Sequence, residues 1–443
     1  MVDMFDRRQF LQTAAANTAV AHIALTGAVT STSSLALADD KEGLNDTPPV
    51  VVGIMGLSRG LDLARDLVTL PGVTIKYACD VDSNRAKAGA KVLADAGSSA
   101  EPITDFRKIL DDKSVDLFVC AAPNHWHGPA TILACKAGKH VYVEKPTCHN
   151  PAEGEWMIQA AERYQRCVQV GNQRRSAPEI QQAIAKVQSG AIGKVYLART
   201  FYNRLRGSIG KSPPTSPPPY LDYDLWQGPA PKRPYQDNVV HYNWHWFWHW
   251  GNGELGNNGP HGLDLCRWGL GVDYPLRTVS SGGRYCYQDD QETPDTHQVA
   301  FEFADGKQIT YQGLSCSQTP LGPFAAFYGT EGYLEMDGNG NYKVYDVKNK
   351  LVEEVKGSGW GQKQHLENMI AAVRANAPKL LHQPILEGHK STLLCHLGNI
   401  AHRTGATVLS DATNGKVLYD ENQQKLWRRE YDPAWEKQIT EIG

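Results

Sequence analysis

Past its N-terminus, the chain has no apolar run long enough to cross a membrane. Cysteine never occurs as Cys-x-x-Cys. Its nine copies (79, 120, 135, 148, 167, 266, 286, 316, 395) are odd in number and scattered, several of them inside apolar runs such as that around Cys120. This argues against a disulfide frame or a zinc site and reads as small buried hydrophobes. Runs of like charge are also missing, and 45 basic against 48 acidic residues leave a net charge of −3. A nucleic-acid footprint and a charged tail are thereby excluded.

What is present is an ordinary globular composition, 41% hydrophobic and 21% charged, in 443 residues, enough for two or three domains. The first 38 residues read as a segment apart from the fold. Asp6-Arg7-Arg8-Gln9-Phe10-Leu11 precedes a weakly apolar stretch from Thr13 to Val29, then Ala36-Leu37-Ala38. A charged start, an apolar middle and a small-residue cleavage site make a signal peptide. The paired arginines resemble the twin-arginine signal, which exports proteins already folded, here to the periplasm. The alternative is an unstructured terminus with a chance Arg-Arg pair.

From Val50 the pattern alternates buried-strand and helix types. Strands are expected at Val50–Met55, Val73–Cys79, Val115–Ala122 and His140–Val143, and helices at Leu61–Leu70, Asn84–Ala96, Pro129–Ala137 and Pro151–Tyr164. Such alternation predicts a doubly wound parallel sheet over residues 46–170. Beyond it, a helix over Pro178–Ser189 gives way to strand-like alternation at Lys194–Tyr202, Thr296–Phe303 and Lys307–Leu314. Residues 171–443 are therefore read as an α+β domain built on antiparallel sheet.

The turn Gly53-Ile-Met-Gly56-Leu-Ser58-Arg59-Gly60 is a degenerate dinucleotide fingerprint, with Ser58 at the middle glycine position and the last glycine one residue early. Asp80 ends the second strand 24 residues after Gly56. A carboxylate there accepts both ribose hydroxyls of NAD and repels a 2′-phosphate. Arg85 nearby leaves room for NADP. In His140-Val-Tyr-Val-Glu144-Lys145-Pro146, a lysine stands just past a buried strand, at the sheet edge where open α/β folds bind ligands. Desolvation there tunes an ammonium toward proton-transfer work.

Together, the glycine turn, Asp80, Pro123-Asn124-His125-Trp126-His127 and Glu144-Lys145-Pro146 resemble the glucose–fructose oxidoreductase/inositol dehydrogenase (Gfo/Idh/MocA) family. The resemblance extends through Gly171-Asn-Gln-Arg-Arg175, Asp222-Tyr-Asp-Leu-Trp-Gln-Gly-Pro-Ala230 and Gly253-Glu-Leu-Gly-Asn-Asn-Gly-Pro-His261-Gly-Leu-Asp264, so it covers most of residues 50–400. It implies a Rossmann domain followed by an α+β domain with a large, mostly antiparallel open sheet that mediates homo-oligomerisation. It also implies an NAD(P)-dependent oxidoreductase acting on a carbohydrate. The cofactor would be held by Gly56, Ser58, Arg59, Gly60, Asp80, Arg85, Pro123, Asn124, His127, Glu144 and Lys145.

Oxidising a sugar hydroxyl needs a base for its proton, and His261 is the candidate; the alternative is a core histidine. In the family this histidine and the Glu-Lys-Pro lysine act with an aspartate four residues before the histidine. That position holds Asn257, an amide that orients a hydroxyl but cannot ionise. Asp264 offers an electrostatic substitute. Arg174, Trp246, Trp248 and Asp264 are candidate substrate residues. The run His241-Tyr-Asn-Trp244-His245-Trp246-Phe247-Trp248-His249-Trp250 reads either as a carbohydrate wall or as packing. If helical, it would align His241, His245 and His249, but with no evident carboxylate partner no metal is expected.

Three activities fit. The first is a sugar oxidoreductase with tightly held cofactor. The second is a glycosidase or lyase working by transient oxidation and elimination. The third is a non-catalytic sugar-binding protein with a vestigial cofactor site.

Overall fold

Six short strands, most of them buried and rich in β-branched residues, form a wholly parallel sheet: β1 (Val50–Met55), β2 (Val73–Cys79), β3 (Glu101–Ile103), β4 (Leu117–Cys120), β5 (His140–Val143) and β6 (Val168–Val170). The computed structural model describes residues 48–442, so the signal-peptide reading of residues 1–38 lies outside the described residues. Strand order is β3-β2-β1-β4-β5-β6, which puts the reversal of direction between β1 and β4. In doubly wound folds a crevice opens at that point, at the carboxyl ends of the strands.

The connecting helices begin where the local chemistry favours them. After α1 (Arg59–Leu67), the Asp82 side chain accepts from the N–H groups of Asn84 and Arg85 to cap α2 (Ser83–Asp95). A short α3 (Arg107–Asp111) precedes β4. Next comes α4 (Asn124–Lys136), which starts five residues earlier than its hydrophobic period suggests and carries Pro129 within it. Asn150 caps α5 (Pro151–Arg163), with Pro151 at its first position.

The second sheet is mixed and mostly antiparallel. After α6 (Pro178–Gln188), the long β7 (Val195–Leu205) becomes its central strand, followed by α7 (Tyr223–Gln227), α8 (Gly253–Asn257) and α9 (Gly259–Leu270). β8 (Arg277–Gly283), β9 (Thr296–Glu302), β10 (Gln308–Leu314), β11 (Cys316–Ser317), β12 (Ala325–Gly329), β13 (Gly332–Met336), β14 (Tyr342–Asp346) and β15 (Leu351–Val355) complete most of it. Only β7 and β10 run parallel in this sheet. α6 and α9 cover one face, burying Phe327, Leu334 and Val344. Strand alternation turns Tyr328, Tyr333 and Tyr345 to the opposite face, where they stack at 5.8 and 4.6 Å between ring centroids.

After β15 the chain returns to the first sheet. Leu366, Met369, Ile370 and Val373 of α10 (Gln362–Ala375) pack in the same apolar cluster as Val50, Val52 and Ile54 of β1. α11 (Ile385–Thr404) then runs buried between both sheets, packing against α5, α9 and β8. β16 (Val408–Leu409) extends the second sheet beside β8, and α12 (Glu421–Gln424) follows. On α13 (Pro433–Thr440), Trp435 meets Trp126 edge-on at 5.0 Å.

Candidate active site

At the switch point a cavity of about 370 Å³ runs from the glycine turn to the start of α9. Gly56 opens it with φ +89°, and a Cβ there would lie 2.5 Å from the carbonyl oxygen of Ala121. Only glycine fits this close crossing of β1 and β4. The turn leads into α1, whose first N–H groups have no partner within the helix and are disposed toward an anion. Gly60 does not line the cavity. It packs under Ile54, where a Cβ would come within 2.9 Å, so its part is to bring helix and strand together.

Asp80 stands at the end of β2 on the cavity wall, its Oδ2 accepting from Leu57 N–H at 3.0 Å and its Oδ1 from Asp82 N–H at 3.0 Å. Burial raises its pKa against those bonds. Arg85 lines the same end. The second domain closes over this region through His241, whose Nε2 lies 3.0 Å from Asp82 Oδ2.

Ser58, Arg59, Pro123, Asn124, His127, Glu144, Lys145, Asn257 and His261 all line this one cavity. Glu144 acts largely through other side chains. It accepts from Arg59 Nε at 3.1 Å and from Gln173 Nε2 at 2.9 Å, which fixes the strand end from which Lys145 projects. The His127 ring bridges the carbonyls of Ala122 and Pro146 at 2.8 and 2.6 Å, tying the β4 turn to the Glu-Lys-Pro turn.

Lys145 Nζ donates to the backbone carbonyl of Asn257 at 2.8 Å and to its side-chain Oδ1 at 3.3 Å. Burial lowers its pKa, helped by Arg59 and Arg174 and opposed by Glu144 and Glu254. Asn257 is oriented from behind, since its Nδ2 lies 3.4 Å from Glu254 Oε1. Glu254 is itself buried and held by Arg206 Nε at 2.5 Å. A carboxylate therefore does stand behind this lysine, one helical turn before the position the family fills with aspartate.

Burial, with Arg174, Lys145 and Arg59 adding to it, holds His261 well below the ordinary imidazole range, so the ring is neutral. Its Nδ1 is buried without a hydrogen-bond partner. A neutral imidazole without commitments, facing a cavity that also holds a desolvated ammonium, can receive a proton from a bound hydroxyl.

Several expectations fail. Asp264 is not a substrate residue or an electrostatic substitute for the missing aspartate. It is 1% exposed, and its oxygens accept from Arg175 Nε and Nη2 at 2.8 Å each, from Ser391 Oγ at 2.6 Å and from Gln383 at 3.0 Å. Arg174 lies outside the cavity lining, donating to the Gly338 carbonyl at 2.8 Å and stacking on Phe324. Trp246 is buried beneath Arg206, and Trp248 faces a separate cavity beside Arg403. The aromatic run forms neither a strand nor a long helix. It makes one 3₁₀ turn over Asn243–Trp246, which sends alternate rings in unrelated directions. Trp226, Trp244 and Trp360 line the cavity instead. Trp226 and Trp244 fall in segments the sequence singles out, whereas Trp360, just before α10, has no local signal. His241, His245 and His249 do not converge, and their nearest polar partners are Asp82 and the carbonyls of Tyr242 and Pro231 respectively.

The two halves of the chain match known sequences separately. Residues 50–172 match the oxidoreductase family, NAD-binding Rossmann fold, and residues 200–437 the oxidoreductase family, C-terminal alpha/beta domain. The chain belongs to the Gfo/Idh/MocA oxidoreductase family.

Within it, this Gfo/Idh/MocA chain is 32% identical over 161 residues to a glycosyl hydrolase family 109 protein of Saccharopolyspora erythraea, covering 34% of this chain and 35% of that protein. It is 31% identical over 157 residues to an inositol 2-dehydrogenase/D-chiro-inositol 3-dehydrogenase of Lactiplantibacillus plantarum, covering 34% and 44%. The matches thus span less than half the length of these relatives. The fold matches that of levoglucosan dehydrogenase in complex with NADH and levoglucosan, with a TM-score of 0.64 at 18% identity over 82% of this chain and 99% of that one. The residues of the cavity fit a dinucleotide: a glycine crossing only backbone can occupy, a helix N-terminus, and a carboxylate at the end of β2.

Proposed function

We propose that the protein is an NAD-dependent oxidoreductase that oxidises a ring hydroxyl of a sugar or glycoside, or reduces the corresponding ketone. One observation carries this reading. Lys145 and the uncommitted imidazole of His261 line the same cavity as the glycine turn and Asp80. A bound nicotinamide would supply the hydride acceptor for the carbon being oxidised. The neutral His261 takes the hydroxyl proton. Lys145 hydrogen-bonds the same oxygen and stabilises negative charge as it develops there. Asn257, braced by Glu254, aims the ammonium. Trp226, Trp244 and Trp360 offer aromatic faces to the apolar side of a sugar ring and exclude water from it.

Asp80 favours NAD over NADP. The Arg7-Arg8 motif and the Ala36-Leu37-Ala38 site support export to the periplasm by the twin-arginine route, with cofactor acquired before export and retained through turnover. The open face bearing Tyr328, Tyr333 and Tyr345 supports self-association through the second sheet. The ultraviolet spectrum of denatured, purified protein, followed by assay of a sugar panel, tests the central claim. Released NAD and sugar-dependent redox turnover are expected; a protein free of nucleotide that also fails to bind added NAD would overturn it.

A second reading, redox-neutral glycoside cleavage by transient oxidation and elimination, is favoured by the amide at Asn257 and the likeness to glycosyl hydrolase family 109 proteins. Cleavage of a chromogenic glycoside without added cofactor distinguishes it from net redox turnover.

A further inference from the structure

Seven of the nine cysteines are buried, and the two that solvent reaches, Cys286 and Cys316, face each other. Cys286 sits in the turn after β8, with its N–H donating to Asp295 Oδ2 at 3.0 Å. Cys316 lies in β11, paired antiparallel with Leu205 at the end of β7. The two sulfurs and an Asp295 carboxylate oxygen all lie within 4.8 Å of one another. This grouping suits a metal poorly, because Asp295 is already engaged. Its Oδ2 accepts from Arg284, Tyr285 N–H and Cys286 N–H, and its Oδ1 from Thr296 at 2.9 Å. What remains available is the pair of thiols.

We propose that Cys286 and Cys316 are a disulfide-forming pair, oxidised by an external disulfide of the glutathione or thiol-oxidase class, and that the bond clamps the wall of the active-site cavity. The hydrogen bond to Cys316 pushes the Cys286 thiol up to about 11, so Cys286 is the poorer nucleophile. Cys316, as thiolate, attacks one sulfur of the external disulfide and expels the other as a thiolate. Cys286 then loses its proton and attacks the Cys316 sulfur of the mixed disulfide, expelling the second thiolate. Two protein thiols give up two electrons and two protons; one external disulfide becomes two thiols.

The clamp acts through the segment that follows Cys286. Asp289 accepts from Ile209 N–H at 2.8 Å, and Asp290 accepts from Ser212 N–H at 2.8 Å and Asn238 at 2.9 Å. The N–H groups of Glu292 and Thr293 both donate to the Trp246 carbonyl, at 3.0 and 3.2 Å. On the other side, Arg206 N–H donates to the Ser315 carbonyl at 2.9 Å while its guanidinium grips Glu254. A bond from Cys286 to Cys316 would therefore close a frame around residues 206–246, the stretch that carries Trp244 and His245 into the cavity.

The test is independent of export and of the sugar chemistry, since the oxidant is added to purified protein. After incubation with oxidised glutathione, denaturation with alkylation and non-reducing peptide mapping should show one cross-linked pair, Cys286 with Cys316, and seven alkylated cysteines. Cys286→Ser should stop at a stable glutathione adduct on Cys316. Oxidised protein should be cut more slowly by a nonspecific protease within residues 206–246 than the same protein after reduction. The proposal is overturned if both thiols are alkylated after oxidation, or if glutathione stays on Cys316 of the unmutated protein. It is equally overturned by co-purifying zinc that Cys286→Ser removes, or by equal cleavage rates.

Discussion

Lys145 reaches across from the end of β5 and donates its ammonium to Asn257 twice, at 2.8 Å to the backbone carbonyl and 3.3 Å to the side-chain oxygen. The amide side chain gives this site a neutral acceptor where its family carries a carboxylate. Asn257→Asp would place a negative charge beside both Lys145 and His261. Each pKa should rise, because the charged form of each gains a partner. His261 works as a base only when neutral, so the acid limb of the pH–rate profile should move to higher pH. An unchanged limb would dissociate His261 from proton removal.

His261→Ala should lower turnover about 10²–10⁴-fold, the usual worth of a positioned base. Retained NAD and an unchanged melting temperature would separate this loss from misfolding. Undiminished turnover would remove His261 from the mechanism.

Glu254 braces Asn257 and pairs with Arg206 while 4% exposed. Glu254→Gln leaves the guanidinium without its counter-charge. Breaking a buried ion pair from one side typically costs about 3–5 kcal/mol. Arg206 keeps some solvent contact, so a loss at or below the lower end is expected from denaturant titration.

Asp80→Asn keeps the size of the side chain but removes the charge, and its amide nitrogen cannot accept one of the two N–H groups, of Leu57 and Asp82, that the carboxylate receives. NAD binding should weaken by about 1.5–3 kcal/mol, the worth of a charged hydrogen bond, and the preference for NAD over NADP should narrow. Calorimetry with both nucleotides checks this. A wild-type preference for NADP would show that Asp80 does not read the ribose.

Acid should destabilise the fold well before carboxylates titrate. Burial pushes His125, His297 and His396 down to about 3, so each stays neutral in the native state while the unfolded chain takes up a proton below about 6.5. The unfolded state then binds more protons, and stability falls as pH drops from about 6.5 toward 3. Buried Glu153, raised to about 7, works the other way, gaining stability as pH falls through that value. Three histidines outweigh one glutamate, so the melting temperature at pH 5 should lie below that at pH 7.5.

The Rossmann half was legible because its signals are local. β1 and β5 are buried almost throughout with no alternation, as strands covered on both faces must be, β2 is buried over its last three residues, and all three fall where the sequence pattern places them. β3 and β6, three residues each, are too short to show a period. Gly56, Asp80 and Lys145 were readable from spacing, since each sits at the end of a strand facing the same crevice. The aromatic run reads equally as a wall or as packing, and only the 3₁₀ turn over Asn243–Trp246 decides where each ring goes.

By itself, the sequence determined the alternation of the main strands and helices in the first half, the glycine crossing, the carboxylate at the end of β2 and the lysine past β5. All of these follow from hydrophobic period and from what a few residue types can do locally. The tertiary structure decided what lies far apart in the chain and close in space. It set Glu254 behind Asn257, committed Asp264 to Arg175, brought Trp360 to the cavity and left His261 without a partner. Those outcomes depend on how two sheets and a returning helix pack, and no local window of sequence encodes the desolvation or the hydrogen-bond competition that packing imposes.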